Sequence, residues 1–187
     1  MPCHGPRKRK GTKPGSFAVV FSLFLRDWHC SPAVVRERTP IFKRENNMKT
    51  YRLFAIQLRE LLGGATALRI TSEGYMPLSI ERIGVDTEGR ELIAMSHTGE
   101  QNGDLMRDPE IVFAIHALPD GSFAEPISFR NDYAGVMQEV YVYDDHGKRT
   151  HVRTARKTEL KSFCLIWFRN LREQGFFGSQ AVRLIYA

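Results

Sequence analysis

The sequence predicts an α+β domain, a curved antiparallel β-meander with an N-terminal and a C-terminal helix packed on one face. Three observations lead there. Apolar residues recur at helical spacing after Met48 and again after Thr158. Between those stretches the period drops to two, and the short apolar runs are separated by turn-forming residues. Short strands joined by tight turns read as a meander rather than as βαβ units, whose apolar face the helices must cover.

The first helix is expected from about Thr50 to Leu62. Tyr51, Phe54, Ala55, Leu58, Leu61 and Leu62 form its apolar stripe, Arg52, Arg59 and Glu60 lie outside it, and Gly63-Gly64 ends it. Strand patterns follow. Leu68 and Ile70 alternate with polar neighbours, as do Leu78 and Ile80; Ile111, Phe113 and Ile115 form a later set, then Val140 and Val142. The runs at 91–96 and 123–129 fill the gaps, with Pro126 marking an edge or a bulge. Turn chemistry falls between them at 72–74, 86–89, 118–121 and 144–147. The second helix is predicted from Thr158, as N-cap, to Gln174, with Gly175 beyond its end. Leu160, Phe163, Cys164, Trp167 and Leu171 supply its stripe. The closing residues AVRLIYA read as a last strand.

The stretch 97-HTGEQNGDLMRDPE-110 concentrates His97, Glu100, Gln101, Asn102, Asp104, Arg107, Asp108 and Glu110 in one connection. His97 is expected to end a strand, 98–109 to form a long loop, and Glu110 to open the next strand. Asn102-Gly103 supplies a positive-φ turn, and Asp108-Pro109 returns the chain to an extended path. Arg107 is placed to neutralise Asp104 or Asp108. A metal reading would combine His97, Glu100, Asp104 and Asp108. The order of residues does not follow a calcium loop, and one histidine is a poor zinc set. The simpler reading is a recognition loop on a hairpin scaffold.

The formal net charge of +6 is unevenly spread. Residues 1–47 hold ten Lys or Arg against Asp27, Glu37 and Glu45, so that segment is +7. Residues 48–187 hold seventeen basic and eighteen acidic side chains, so they are −1. A nucleic-acid partner therefore depends on the first 47 residues, chiefly Arg7 to Lys13, or on the basic run at 146–157. Lys43-Arg44-Glu45 can be encoded by a purine-rich ribosome-binding sequence just before Met48. We therefore expect translation to start at Met48, with residues 1–47 either outside the native protein or a disordered basic leader, and 48–187 a single domain. Phe17–Leu25 is apolar but has no cleavage-site pattern after it, and no run is long enough to span a bilayer. Cys3, Cys30 and Cys164 make no disulfide framework, which favours a cytoplasmic setting.

No nucleophile elbow, phosphate loop or metal motif occurs, so neither a cofactor nor catalysis is expected. Cys164 sits on a buried helix face as a small core hydrophobe. The segment 131–141 could flank the 97–110 stretch across the sheet.

The order GYMPLSIERIG, IAMSHTGEQNGDLMRDPEIVF, QEVY and WFRNLREQGF resembles an uncharacterised domain family associated with bacterial plasmids and integrative mobile elements. Gln101, Asn102, Gly103, Asp104, Asp108 and Pro109 match one of its motifs, and Trp167 to Phe176 match another. The resemblance covers about 68–177 and implies no activity. Together these readings predict a small interaction or accessory module that recognises a protein partner or a second copy of itself, without contact to a membrane. The alternatives are a nucleic-acid-binding protein and a metal-dependent hydrolase at 97–110.

Overall fold

The computed structural model describes the backbone of residues 41–186 and the side chains of residues 47–186. The basic cluster at 7–13, the apolar run at 17–25, Cys3 and Cys30 lie outside the described residues. The element order is α1 (Ile41–Leu62), β1 (Ala67–Thr71), β2 (Leu78–Val85), β3 (Glu91–Gln101), β4 (Asp104–Leu118), β5 (Gly121–Asn131), β6 (Val136–Glu139), β7 (Tyr141–Tyr143), β8 (Arg149–Val152), α2 (Thr154–Glu173) and β9 (Val182–Tyr186). Seven strands form one antiparallel sheet in the order β6-β5-β4-β3-β2-β1-β9, and β7 pairs with β8 separately. The predicted α+β class, the antiparallel sheet and the two helices are all present.

Register explains the core. Leu68 faces Ile80, Ile80 faces Met95, Met95 faces Ile111, and Ile111 faces Phe129, so five strands contribute to one buried apolar row. Cross-strand partners share a sheet face, so the row follows from the period-two pattern in each strand. The helices close over it. Phe54 of α1 packs against Phe113 of β4 and Phe168 of α2 at ring separations of 6.2 and 5.5 Å, and Phe163 of α2 meets Phe129 at 5.6 Å. Bulges in β2–β3, β3–β4 and β4–β5 bend the sheet beneath them. Pro126 sits at the β4–β5 bulge, next to the position where the ladder skips a residue.

Several boundaries differ from expectation. Helix α1 starts at Ile41 rather than Thr50, because its first turns carry no apolar stripe to announce them. An inter-helix hydrogen bond from Lys161 Nζ to Asn47 Oδ1, 2.5 Å long, ties that end to α2. Helix α2 starts at Thr154, with Arg153 at the N-cap and no side-chain cap. Thr158 does not cap it; its hydroxyl donates to the Thr154 carbonyl one turn earlier, a bond made inside a helix. The C-terminus follows expectation in detail. Phe176 N–H donates to Leu171 O and Gly175 N–H to Arg172 O, a Schellman arrangement that needs the positive φ of Gly175 and buries Phe176. Val140 and Val142 do not continue one strand; Val140 is a buried hinge between β6 and β7. Among the described residues, no helix is long and apolar enough to cross a membrane.

Candidate functional site

The expected loop at 98–109 is instead a continuation of two strands. β3 runs to Gln101 and β4 begins at Asp104, pairing Thr98 with Arg107, Gly99 with Met106, Glu100 with Leu105, and Gln101 with Asp104. Asn102 at φ 55° and Gly103 at φ 88° close a two-residue turn. Asn and Gly tolerate that left-handed pair better than other residues, and its twist suits a tight hairpin. The Asn-Gly turn was legible in the sequence, but the strand character of the arms was not, because they lack the apolar alternation of a half-buried sheet.

The neighbouring strands stop short of this hairpin. β2 pairs with β3 only as far as His97, and β5 pairs with β4 only from Glu110. Residues 99–106 therefore project as a two-stranded ribbon with Glu100, Gln101, Asn102, Asp104 and Leu105 exposed at its end.

The base of the ribbon is fastened by the turn after β5. Arg107 N–H donates to Asp132 Oδ2 at 2.9 Å, and Asp132 N–H donates to Arg107 O at 2.9 Å. The Arg107 guanidinium lies 2.9 Å from Glu110 and 3.4 Å from Asp132, so it neutralises those carboxylates and not Asp104 or Asp108 as expected. Arg130 Nε adds a 2.6 Å contact to Asp132 Oδ1. Burial opposes ionisation of Asp132, but the Arg107 amide and the two guanidinium groups outweigh it and hold the carboxyl below its ordinary range. Asn131 is buried, donating to Asp108 Oδ1 at 2.5 Å while its own oxygen accepts Ala134 N–H. Burial raises the Asp108 pKa, and the Asn131 bond only partly offsets it. Tyr133 completes the base: a side chain at Gly99 would bring its first carbon within 2.6 Å of the Tyr133 hydroxyl. The segment at 131–141 thus does reach the 97–110 stretch.

His97 departs from the rest of its group. It continues the core-facing alternation of Ile93 and Met95 in β3, pairs with Leu78 opposite the Asp108-Pro109 bulge of β4, and is only 2 % exposed. Its ring packs against Trp167 at 5.7 Å and Phe176 at 5.4 Å. Nδ1 lies 3.0 Å from Met76 O and 3.2 Å from Pro77 O, which makes it the protonated nitrogen. Burial lowers the His97 pKa to about 4 despite those carbonyls. This is a neutral core histidine. Among the described residues no group of three or more His, Cys, Asp or Glu side chains is arranged to hold a metal, and His97, Glu100, Asp104 and Asp108 do not converge.

A family model described as a domain of unknown function, DUF6908, matches residues 49–177. The chain belongs to the DUF6908 family. The match takes in the fold from near the middle of α1 through α2 and stops before β9. No curated protein and no solved structure matches the chain.

The DUF6908 domain also contains a polar cluster that the sequence did not disclose. Glu125 of β5 is 3 % exposed and is reached from three other elements. Tyr141 of β7 donates its hydroxyl at 2.7 Å, Lys157 of α2 forms an ion pair, and His116 Nε2 of β4 lies 3.3 Å away. His116 stacks on Phe123 at 4.2 Å, which packs in turn against Tyr51 of α1. Burial alone would raise the Glu125 pKa; His116, Lys157 and Tyr141 overcome it and hold the carboxyl at about 2. Burial raises Tyr51 to about 12 and raises Tyr141 as well. A general base works best with a pKa near the operating pH, so a permanently ionised Glu125 suits a structural counter-ion. The cluster joins α2 and β7 to the sheet. Burial likewise raises the pKa of the Cys164 thiol, consistent with its place in the core.

The basic run at 146–157 is largely compensated within the fold. Arg149 contacts Asp86 and Glu88 and stacks on the Tyr141 ring, Arg153 donates to Glu139 O, Arg156 contacts Glu159, and Lys157 serves Glu125.

Proposed function

We propose that this DUF6908 domain is a non-catalytic interaction module whose recognition element is the β3–β4 ribbon. The carrying observation is the length of that hairpin: both arms continue past their sheet neighbours and present Glu100, Gln101, Asn102, Asp104 and Leu105 on a base braced by Arg107, Asp108, Asn131 and Asp132. A projecting polar end with one exposed leucine suits contact with a protein surface, where an apolar anchor sits within a hydrogen-bonding rim. The resemblance of the motif order supports an accessory role in mobile elements, and the lack of a disulfide framework supports a cytoplasmic setting.

The reading is tested with a photo-crosslinking residue placed at Leu105, and at Glu173 of α2 as control, in cells of the source organism. A discrete crosslinked protein from position 105, absent from position 173 and lost when Asn102-Gly103 is replaced by Ala-Ala, supports it. Equal crosslinking from both positions, or none from 105, overturns it.

A further inference from the structure

The two edges of the main sheet are protected differently. β6 is four residues long and carries Glu139, whose carbonyl oxygen accepts Arg153 Nη1 at 2.9 Å, so part of that edge is already occupied. β9 is paired only with β1 among the described residues, and its side chains are exposed throughout. Four of its five residues are apolar: Val182, Leu184, Ile185 and Tyr186. Arg183 supplies the only charge, and its guanidinium is drawn back onto Phe176 O at 3.1 Å. Proteins normally blunt such an edge with outward charges, proline or a covering element, because an apolar strand with unpaired backbone groups accepts another strand.

Register shows what the open edge offers. Ile185 pairs with Leu68 and Arg183 with Ile70, so these two share the face covered by the helices; Val182, Leu184 and Tyr186 lie on the other face. Ile185 lies beside the buried Leu68 row yet is 65 % exposed, so the apolar row continues past the helices that should cover it.

We infer that β9 pairs antiparallel with β9 of a second copy of this chain, joining two sheets across a two-fold axis. Complete overlap of the five residues puts the axis at Leu184. Leu184 then faces Leu184 of the other copy, Val182 faces Tyr186, and Arg183 faces Ile185. No like charges meet on either face, and one face acquires a row of apolar pairs. An isologous contact of this kind closes after two subunits, whereas pairing β9 with β6 would be heterologous and build rings or open chains. A five-residue strand pair buries less than the roughly 800 Å² per partner of a standard interface, so the association is weak and concentration-dependent.

Sedimentation velocity on the full chain, from low micromolar to near-millimolar concentration, tests this with a charge pair at the axis. The unmodified chain is expected to shift from monomer to dimer. Leu184→Lys and Leu184→Glu each place like charges opposite one another and weaken association at least about tenfold. Mixing them in equal amounts restores a dimer, since lysine then faces glutamate. Circular dichroism confirms that both variants are folded. A wild-type chain that stays monomeric throughout overturns the inference, including the case in which another segment of the same chain covers the edge. Dimers that persist in both single variants, or a mixture that fails to recover them, also overturn it.

Discussion

Arg107 and Asp132 hold each other by reciprocal hydrogen bonds, Arg107 N–H to the Asp132 carboxylate and Asp132 N–H to the Arg107 carbonyl, both 2.9 Å long. The pair anchors the ribbon where β5 no longer supports β4. Asp132→Ala is expected to destabilise the fold by about 1–3 kcal/mol, the range for a partly buried donor left unsatisfied. Hydrogen exchange should accelerate most at residues 98–107. Unchanged protection there would show that the turn does not brace the ribbon.

Gly103 has φ 88°, a conformation that costs a residue with a side chain about 1 kcal/mol or more. Gly103→Ala should therefore loosen the ribbon tip, seen as exchange broadening in amide spectra of residues 100–105, and leave the core packing intact. A loss of dispersion across the whole spectrum would contradict the independence of the tip.

His97 makes stability depend on mild acid. Its folded pKa of about 4 lies below the ordinary 6.5, so the unfolded state takes up the proton more readily. The contribution is complete above pH 6.5, is lost progressively as pH falls, and is gone below about pH 4. Linkage predicts roughly 2 kcal/mol less stability from this group at pH 5 than at pH 7. Urea unfolding at the two pH values measures it, and His97→Gln should remove most of the difference.

Glu125 acts in a lower window. Its carboxyl is held at about 2 against an ordinary 4.5, so its contribution is complete above pH 4.5 and disappears as pH falls through 2. At neutral pH, Glu125→Ala leaves Lys157 without its counter-ion, with only the Tyr141 oxygen to accept from it, and leaves the Tyr141 hydroxyl without its acceptor. The expected cost is about 2–4 kcal/mol, discounted because Lys157 is partly solvated. Adding Lys157→Met should recover part of it. No recovery in the double variant would remove the ion pair as the cause.

Cys164 is fully buried with a raised pKa, so it should resist alkylation in the native protein. Site-resolved mass spectrometry after iodoacetamide treatment checks this, with labelling at position 164 expected only under denaturing conditions. Rapid native labelling would place that face of α2 outside the core.

The α+β class, the core stripe of α2, the glycine stops after both helices, and the turns at 72–74, 86–89, 118–121 and 144–147 were all legible along the chain. These are local properties. Helical spacing, period-two alternation and positive-φ glycines are written within a few neighbouring residues and survive whatever packs against them. The sequence also marked 97–110 as the chemically dense stretch, and the structure brings Arg107 and Asp108 onto the base and Glu100, Gln101, Asn102 and Asp104 to the exposed end. His97 leaves that group because it keeps the inward alternation of Ile93 and Met95, and its ring partners Trp167 and Phe176, far along the chain, come only with the packing of α2 on the sheet. The same holds for Arg107, which adds the distant Asp132 to its neighbour Glu110 and leaves Asp104 and Asp108, and for Glu125, whose partners come from β4, β7 and α2. Charge partners are chosen by distance in space and by burial, and neither is encoded in spacing along the chain.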